Sequence, residues 1–238
     1  MYISEKFKSI SPSPTLAIDS KFKQMKADGL DVVGFGAGEP DFDTPKHIRD
    51  AAITAINEGF TKYTPASGTL ALKQAVVRKL KRDNGLDYTT DQIVISNGAK
   101  HSLMNAFGAI LNPGDEVIIP APFWVSYPEM VKLNDGVPVI LETKEENNFK
   151  FTARDLIGAI TPNTRAFILN SPSNPTGMVY TVEELREIAQ VAVEYNLYII
   201  SDEIYEHLIY GSTKHLDFPQ SQQSSGSSRR FAPSAKVL

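Results

Sequence analysis

From residue 93 to residue 201 the sequence alternates short apolar runs with longer amphipathic stretches, and no other property restricts the fold as much. The apolar runs are 93 to 96 (IVIS), 117 to 119 (VII), 137 to 141 (VPVIL), 166 to 169 (AFIL) and 197 to 201 (LYIIS). They are continuously apolar, as strands buried on both faces are, whereas a sheet with one wet face shows alternation. The stretches between them predict helices over 99 to 111, 123 to 133, 152 to 159 and 181 to 194. Thr181 starts the last with a capping box, Glu184 standing three residues on. Two further helices are expected upstream. One runs from Thr44 and Pro45 to Ala55, with Thr44 as N-cap and Pro45 at the first helical position. The other runs from Thr69 to Asn84 and stops at Gly85, where a left-handed cap suits glycine. Strand, helix, strand in this order gives an α/β fold, a mostly parallel sheet with helices on both faces.

From Gly211 onward the pattern breaks. The segment GSTKHLDFPQSQQSSGSSRRFAPSAKVL is rich in Ser and Gln and carries almost no periodic apolar residues, so it is expected to form no further strand or helix. The division expected from sequence is an N-terminal arm with part of a small domain over 1 to 45, a large domain over 46 to 211, and an unstructured tail over 212 to 238. No internal repeat is visible.

Composition narrows the functions. A formal charge of -4 over 238 residues, with Lys and Arg scattered, offers no basic field for nucleic acid. The chain has no cysteine, which removes disulfides, thiolate nucleophiles and Cys-ligated zinc and agrees with a reducing cytoplasm. Its four His are isolated in sequence, so no metal is expected. No apolar run has the length of a signal-peptide core or a membrane span. A cytoplasmic protein without membrane or nucleic-acid partners is expected.

In an open parallel sheet, ligands lie beyond the carboxyl ends of the strands, so the residues following each strand are the candidates. Asn97, Gly98, Ala99 and Lys100 stand at a helix start, where free backbone N–H groups and the helix dipole favour a phosphate. Phe123 and Trp124, the one tryptophan of the chain, follow the second run. Asn174 follows the fourth, and Asp202, Glu203 and Tyr205 the fifth. An anion cradle, a flat aromatic, an amide, a carboxylate and a phenol suit a phosphorylated planar heteroaromatic ring. The glycines of GFGAG (34 to 38) do not form a dinucleotide loop, because Glu39-Pro40 follows them instead of a helix.

Six segments, GAGEPDF (36 to 42), YTPASG (63 to 68), SNGAKH (96 to 101), PAPFWVSYPE (120 to 129), NSPSNPTG (170 to 177) and SDEIYE (201 to 206), stand in the order and at the spacing of one family. The chain resembles the class I, fold type I aminotransferases that use pyridoxal 5'-phosphate, within their bacterial aspartate aminotransferase-like group. The resemblance runs over about residues 10 to 212 and covers about the first half of a full-length member. It implies a large domain that is incomplete and a small domain that is largely missing. It also implies that Asp202 pairs with the protonated pyridine nitrogen, holding the ring cationic as an electron sink. Asn174 and Tyr205 would bond the ring's phenolic oxygen, and Trp124 would stack on its face. Gly98, Ala99 and Lys100 would take the phosphate, and Tyr63 the phosphate of a neighbouring subunit's cofactor, which implies a homodimer. Gly38 would lie by the substrate's carboxylate, and Trp124 and Asn174 would also bind the substrate. The activity implied is amino transfer between an aspartate-like amino acid and a 2-oxo acid. The resemblance also fits a lyase or synthase of the same fold, or an inactive remnant that binds the cofactor non-covalently or forms mixed dimers.

Pro172 and Pro175 flank Asn174 closely, fixing backbone dihedrals and removing two donors, so that the loop presents its amide with little freedom. The resemblance implies a cis Asn174-Pro175 bond. The Schiff-base lysine of the family is not recognisable, so the catalytic lysine is unknown. Lys236 has a suitable spacing from Asp202 but no apolar strand before it, and Lys214 comes too early. The family's substrate-gripping arginine is likewise missing. Without the family's later strands, the run at 93 to 96 would lose its neighbours, and open sheet edges would favour aggregation.

Overall fold

A computed structural model describes residues 2–36, 38, 42–210, 215 and 234–237. The chain divides into two units, Pro12–Thr69 and Met1–Ser11 with Leu70–Leu238. The boundary expected near residue 45 falls inside the first of these.

The larger unit holds a five-stranded, all-parallel sheet in the order β2-β1-β3-β4-β5. Its strands are β1 (Glu116–Ala121), β2 (Val137–Glu142), β3 (Thr164–Asn170), β4 (Tyr198–Asp202) and β5 (Ser234–Val237). Its helices are α1 (Glu5–Lys8), α4 (Leu70–Asn84), α5 (Ala99–Ile110), α6 (Ser126–Leu133), α7 (Ala153–Ala159) and α8 (Val182–Glu194). The smaller unit carries α2 (Pro14–Ala27) and α3 (Lys46–Asn57).

The expected two-sided burial is visible residue by residue. In β3, Ala166 and Ile168 pack with Leu103 and Phe107 of α5 and Met130 and Val131 of α6. Phe167 and Leu169 pack on the other face with Leu156 of α7 and Leu185 and Ile188 of α8. With the central strands' apolar side chains removed from water on both faces, at roughly 25 cal/mol per Å², the sheet and its covering helices enclose one core cluster on each face. The edge strand β2 is wetter, with Val137 and Ile140 exposed, and it accommodates Pro138 as an edge can.

Four expectations require correction. Residues 93 to 96 form no strand. Ile93 and Ile95 instead pack with Leu80, Leu86 and Tyr88 in a small cluster, while Val94 is exposed. A strand needs a neighbour's backbone, and none of the described residues pairs there. The upstream helix begins at Lys46, with Pro45 at the cap and no side-chain cap bond, so Thr44 does not cap it. The helix expected from about 123 begins at Ser126, after residues 122 to 125 have carried the chain out of β1. Finally, Ser234–Val237 pairs in parallel with β4 although it lies in the segment expected to be unstructured. Helix α2, with Ser13 capping Leu16 N and Pro14 at its first turn, was not anticipated.

The order of strands fixes where a ligand can bind. From β1 the chain moves to β2 on one side, whereas β3 and β4 lie on the other, so the direction of winding reverses between β1 and β3. Pairing of β1 with β3 stops at Ile118↔Phe167, although β1 continues to Ala121 and β3 to Asn170. Pro120 has no N–H to give the ladder. The two carboxyl ends therefore separate, opening a cavity lined by Ile119, Pro120, Asn170, Asn174 and Tyr127 among others.

Candidate functional site

Asp202 ends β4 and is 3% exposed. Its Oδ2 accepts a 2.7 Å hydrogen bond from the Tyr127 hydroxyl, and its Oδ1 accepts from Ile204 N at 3.3 Å. Burial pushes the Asp202 carboxyl above the usual carboxylate range, against the opposing pull of these two bonds. Burial also pushes the Tyr127 phenol up, helped by the Asp202 charge and by Tyr205. Tyr127 therefore remains a protonated donor to Asp202.

The ring of Tyr127 meets that of Trp124 edge-on, with centroids 5.4 Å apart and planes at 84°, a favoured aromatic geometry. The Lys100 ammonium lies over the Trp124 ring, 5.1 Å from its centroid. This places the start of α5 beside the tryptophan. Gly98, whose φ of 83° is open to glycine, is the N-cap of α5, and no side chain caps the helix. His101 N turns back onto Gly98 O, which leaves the N–H groups of Ala99 and Lys100 for an outside acceptor.

The second connection runs through Asn170, at the end of β3 and in register with Asp202. Its Nδ2 donates to Asp202 O at 2.9 Å, and its Oδ1 accepts from Asn174 N at 2.7 Å. The loop after β3 closes on itself through Ser173 N to Met178 O and Gly177 N to Ser173 O. The Ser171-Pro172 and Asn174-Pro175 bonds are both cis. The bond from Asn174 N to Asn170 Oδ1 holds Asn174 at the rim of the cavity between β1 and β3. Tyr205, half-buried, lies in the turn after β4.

Lys100, Trp124, Asn174 and Asp202 thus belong to one connected set at the carboxyl rim, with Gly98 and Ala99 at the helix start beside them. Tyr63 and Gly38 lie in the unit Pro12–Thr69, both exposed. Lys214 lies outside the described residues. Sequence reasoning missed two connectors. Tyr127 follows Trp124 by three residues on the same turn, a spacing that brings side chains together, and Asn170 is the first polar residue at the end of an apolar strand.

A doubly covered parallel sheet with a crevice at its winding reversal defines an α/β protein of the architecture in which ligands lie at the strand ends. The model of the family "Aminotransferase class I and II" matches residues 30–227, and the chain belongs to that family. The match extends past residue 212, where the resemblance in sequence was expected to end. Among relatives, the aspartate aminotransferase of Bacillus sp. (strain YM-2) is 57% identical over 92% of this chain and 56% of its own length. That of Bacillus subtilis (strain 168) is 52% identical over 92% of this chain and 56% of its own. The structure of the Thermus thermophilus aspartate aminotransferase with maleate superposes with a TM-score of 0.90 at 44% identity, over 93% of this chain and 58% of that one. The chain spans about half the length of the curated relatives it matches.

Proposed function

We propose that this chain contributes the cofactor-binding part of a pyridoxal-phosphate-dependent aminotransferase acting on an aspartate-like amino acid and a 2-oxo acid. The observation that carries this reading is the chain of contacts from Lys100 through Trp124 and Tyr127 to Asp202. The residues fit the cofactor on their own chemistry. A buried carboxylate with a raised pKa gains from a cationic partner, and a ring nitrogen that carries a proton is one. Uncapped N–H groups at α5 suit a phosphate, and a Cβ at Gly98 would meet nothing, so the approach is open.

When bound, pyridoxal phosphate supplies an electron sink for a carbanion formed at the substrate's α-carbon. Asp202 would keep the ring nitrogen protonated, and Tyr127 and Asn170 hold Asp202 in place. Trp124 would pack on the ring, Asn174 and Tyr205 would donate to its phenolic oxygen, and Gly98, Ala99 and Lys100 would hold the phosphate. Trp124 and Asn174 would also contact the substrate, with Gly38 near its carboxylate.

The proposal includes a homodimer in which Tyr63 reaches the partner's phosphate. Two observations support it: Tyr63 is fully exposed, at 109%, and the same unit leaves Ile48, Ile53, Ile56 and Phe60 in water. A cytoplasmic location belongs to the same reading. None of the helices among the described residues is long and apolar enough to cross a membrane. The test is equilibrium binding of pyridoxal 5'-phosphate to this chain, with sedimentation to read the assembly. Saturable binding that weakens in the Asp202→Ala variant is expected, whereas binding indifferent to Asp202 would contradict the assignment.

A further inference from the structure

Behind Asp202 the chain buries two more carboxylates. Glu203 is 2% exposed, and the Glu206 side chain 9%. Together with His215 they bring oxygen and nitrogen atoms within 4.8 Å of one another, a spacing at which two carboxylates repel unless a cation intervenes. The cation is supplied from β5. Lys236 Nζ lies 2.9 Å from Glu203 Oε2 and 3.5 Å from Glu206 Oε2, with its side chain 6% exposed. Ser201 Oγ donates to Glu203 Oε1 at 2.7 Å, and His215 Nε2 meets Glu203 Oε2 at 2.8 Å. From α4, Lys79 pairs with Glu206, and Asn84 Nδ2 donates to Glu206 Oε2 at 3.0 Å. His207 Nε2 stands 3.3 Å from Glu206 Oε1.

Register decides which way Lys236 faces. In β4, Ile200 packs on the α5 and α6 side, and Asp202 reaches Tyr127 of α6 on that same side. Ile199 packs on the α7 and α8 side, and Ser201 alternates with Asp202 onto that side. Lys236 is the register partner of Ser201, and laterally paired residues of neighbouring strands project from the same face. Its ammonium is thus committed to the Glu203 and Glu206 carboxylates, on the face opposite the Asp202 carboxylate.

We propose that Lys236 is an ionic latch, which fastens β5 to the sheet by neutralising the buried Glu203–Glu206 pair and is not the lysine that takes a carbonyl cofactor. The latch joins β5, α4 and the turn carrying Asp202 and Tyr205. It acts with or without cofactor, so it stands independently of the proposed activity.

The test compares thermal unfolding of the cofactor-free full chain with Lys236→Met, Glu203→Gln and the double variant. Lys236→Met keeps the length of the stem and takes the ammonium from Glu203, while Glu206 keeps Lys79. Its midpoint is expected to fall by on the order of 10 °C. The double variant removes one negative charge along with the positive one, and is expected to melt above Lys236→Met even if that single variant scarcely folds. The unsubstituted chain is then loaded with pyridoxal phosphate, reduced with borohydride and mapped by mass spectrometry. Lys236 is expected to remain unmodified. A pyridoxyl group on Lys236, a Lys236→Met midpoint equal to that of the parent, or a double variant no better than Lys236→Met would each overturn the latch.

Discussion

The Tyr127 hydroxyl donates to Asp202 Oδ2 at 2.7 Å across 75 residues of sequence, joining the helix after β1 to the end of β4. Both groups are buried, and burial holds both pKa values up, so the phenol stays a donor. This bond fixes the carboxylate on which the proposed cofactor depends.

Removing that donor leaves a buried carboxylate short of one partner. Tyr127→Phe is expected to destabilise the chain by about 1–3 kcal/mol, read from urea unfolding. It should also weaken pyridoxal-phosphate binding, because Asp202 is then held only through Ile204 N.

Asp202→Asn should separate stability from function. The raised carboxyl of Asp202 means that its ionised form opposes folding: the cost is absent below its unfolded pKa and grows as pH rises toward the folded value. At neutral pH the asparagine variant is therefore expected to be at least as stable as the parent when free of cofactor. Its affinity for pyridoxal phosphate should fall about 10–100-fold with loss of a charge-assisted bond. Parallel melting and binding curves check both signs.

Glu206 has the opposite linkage. Burial raises its carboxyl, but the bonds from Lys79 and Asn84 and the nearby Lys236 charge overcome that and leave it below the usual value. The stability this contributes is present above the unfolded pKa and lost as pH falls through the folded one. The acid side of a melting-temperature profile should be flatter in Glu206→Gln than in the parent.

Lys100 tests the phosphate cradle apart from the ring. In Lys100→Ala the affinity for pyridoxal 5'-phosphate is expected to drop several-fold, while that for pyridoxal, which lacks the phosphate, stays unchanged. Calorimetry with the two compounds distinguishes these results.

Much of the fold was legible because local signals agreed with the global order. The Thr181–Glu184 capping box forms as read, with Thr181 N to Glu184 Oε2 at 2.7 Å. Gly85 ends α4 with a φ of 65°. The failures share one cause, which is that a strand is a property of its neighbour as well as of itself. Residues 93 to 96 have the composition of a strand and no described partner, whereas Ser234–Val237 lacks an apolar run but lies beside β4, where Lys236 meets buried carboxylates. In the site, Trp124, Asn174 and Asp202 follow their strands as expected. Tyr127 and Asn170 escaped notice because they act through other residues, and only the folded chain shows which atoms they touch.

Trp124 is the single tryptophan, so its fluorescence reports the ring-binding face without interference. Titrating pyridoxal 5'-phosphate into the parent and Asp202→Asn chains is the most direct measurement. Saturable quenching in the parent, shifted to at least about tenfold higher concentration in the variant, is expected if the carboxylate and the indole grip one protonated ring. Quenching that never saturates, or that follows the same curve in both folded chains, would contradict it.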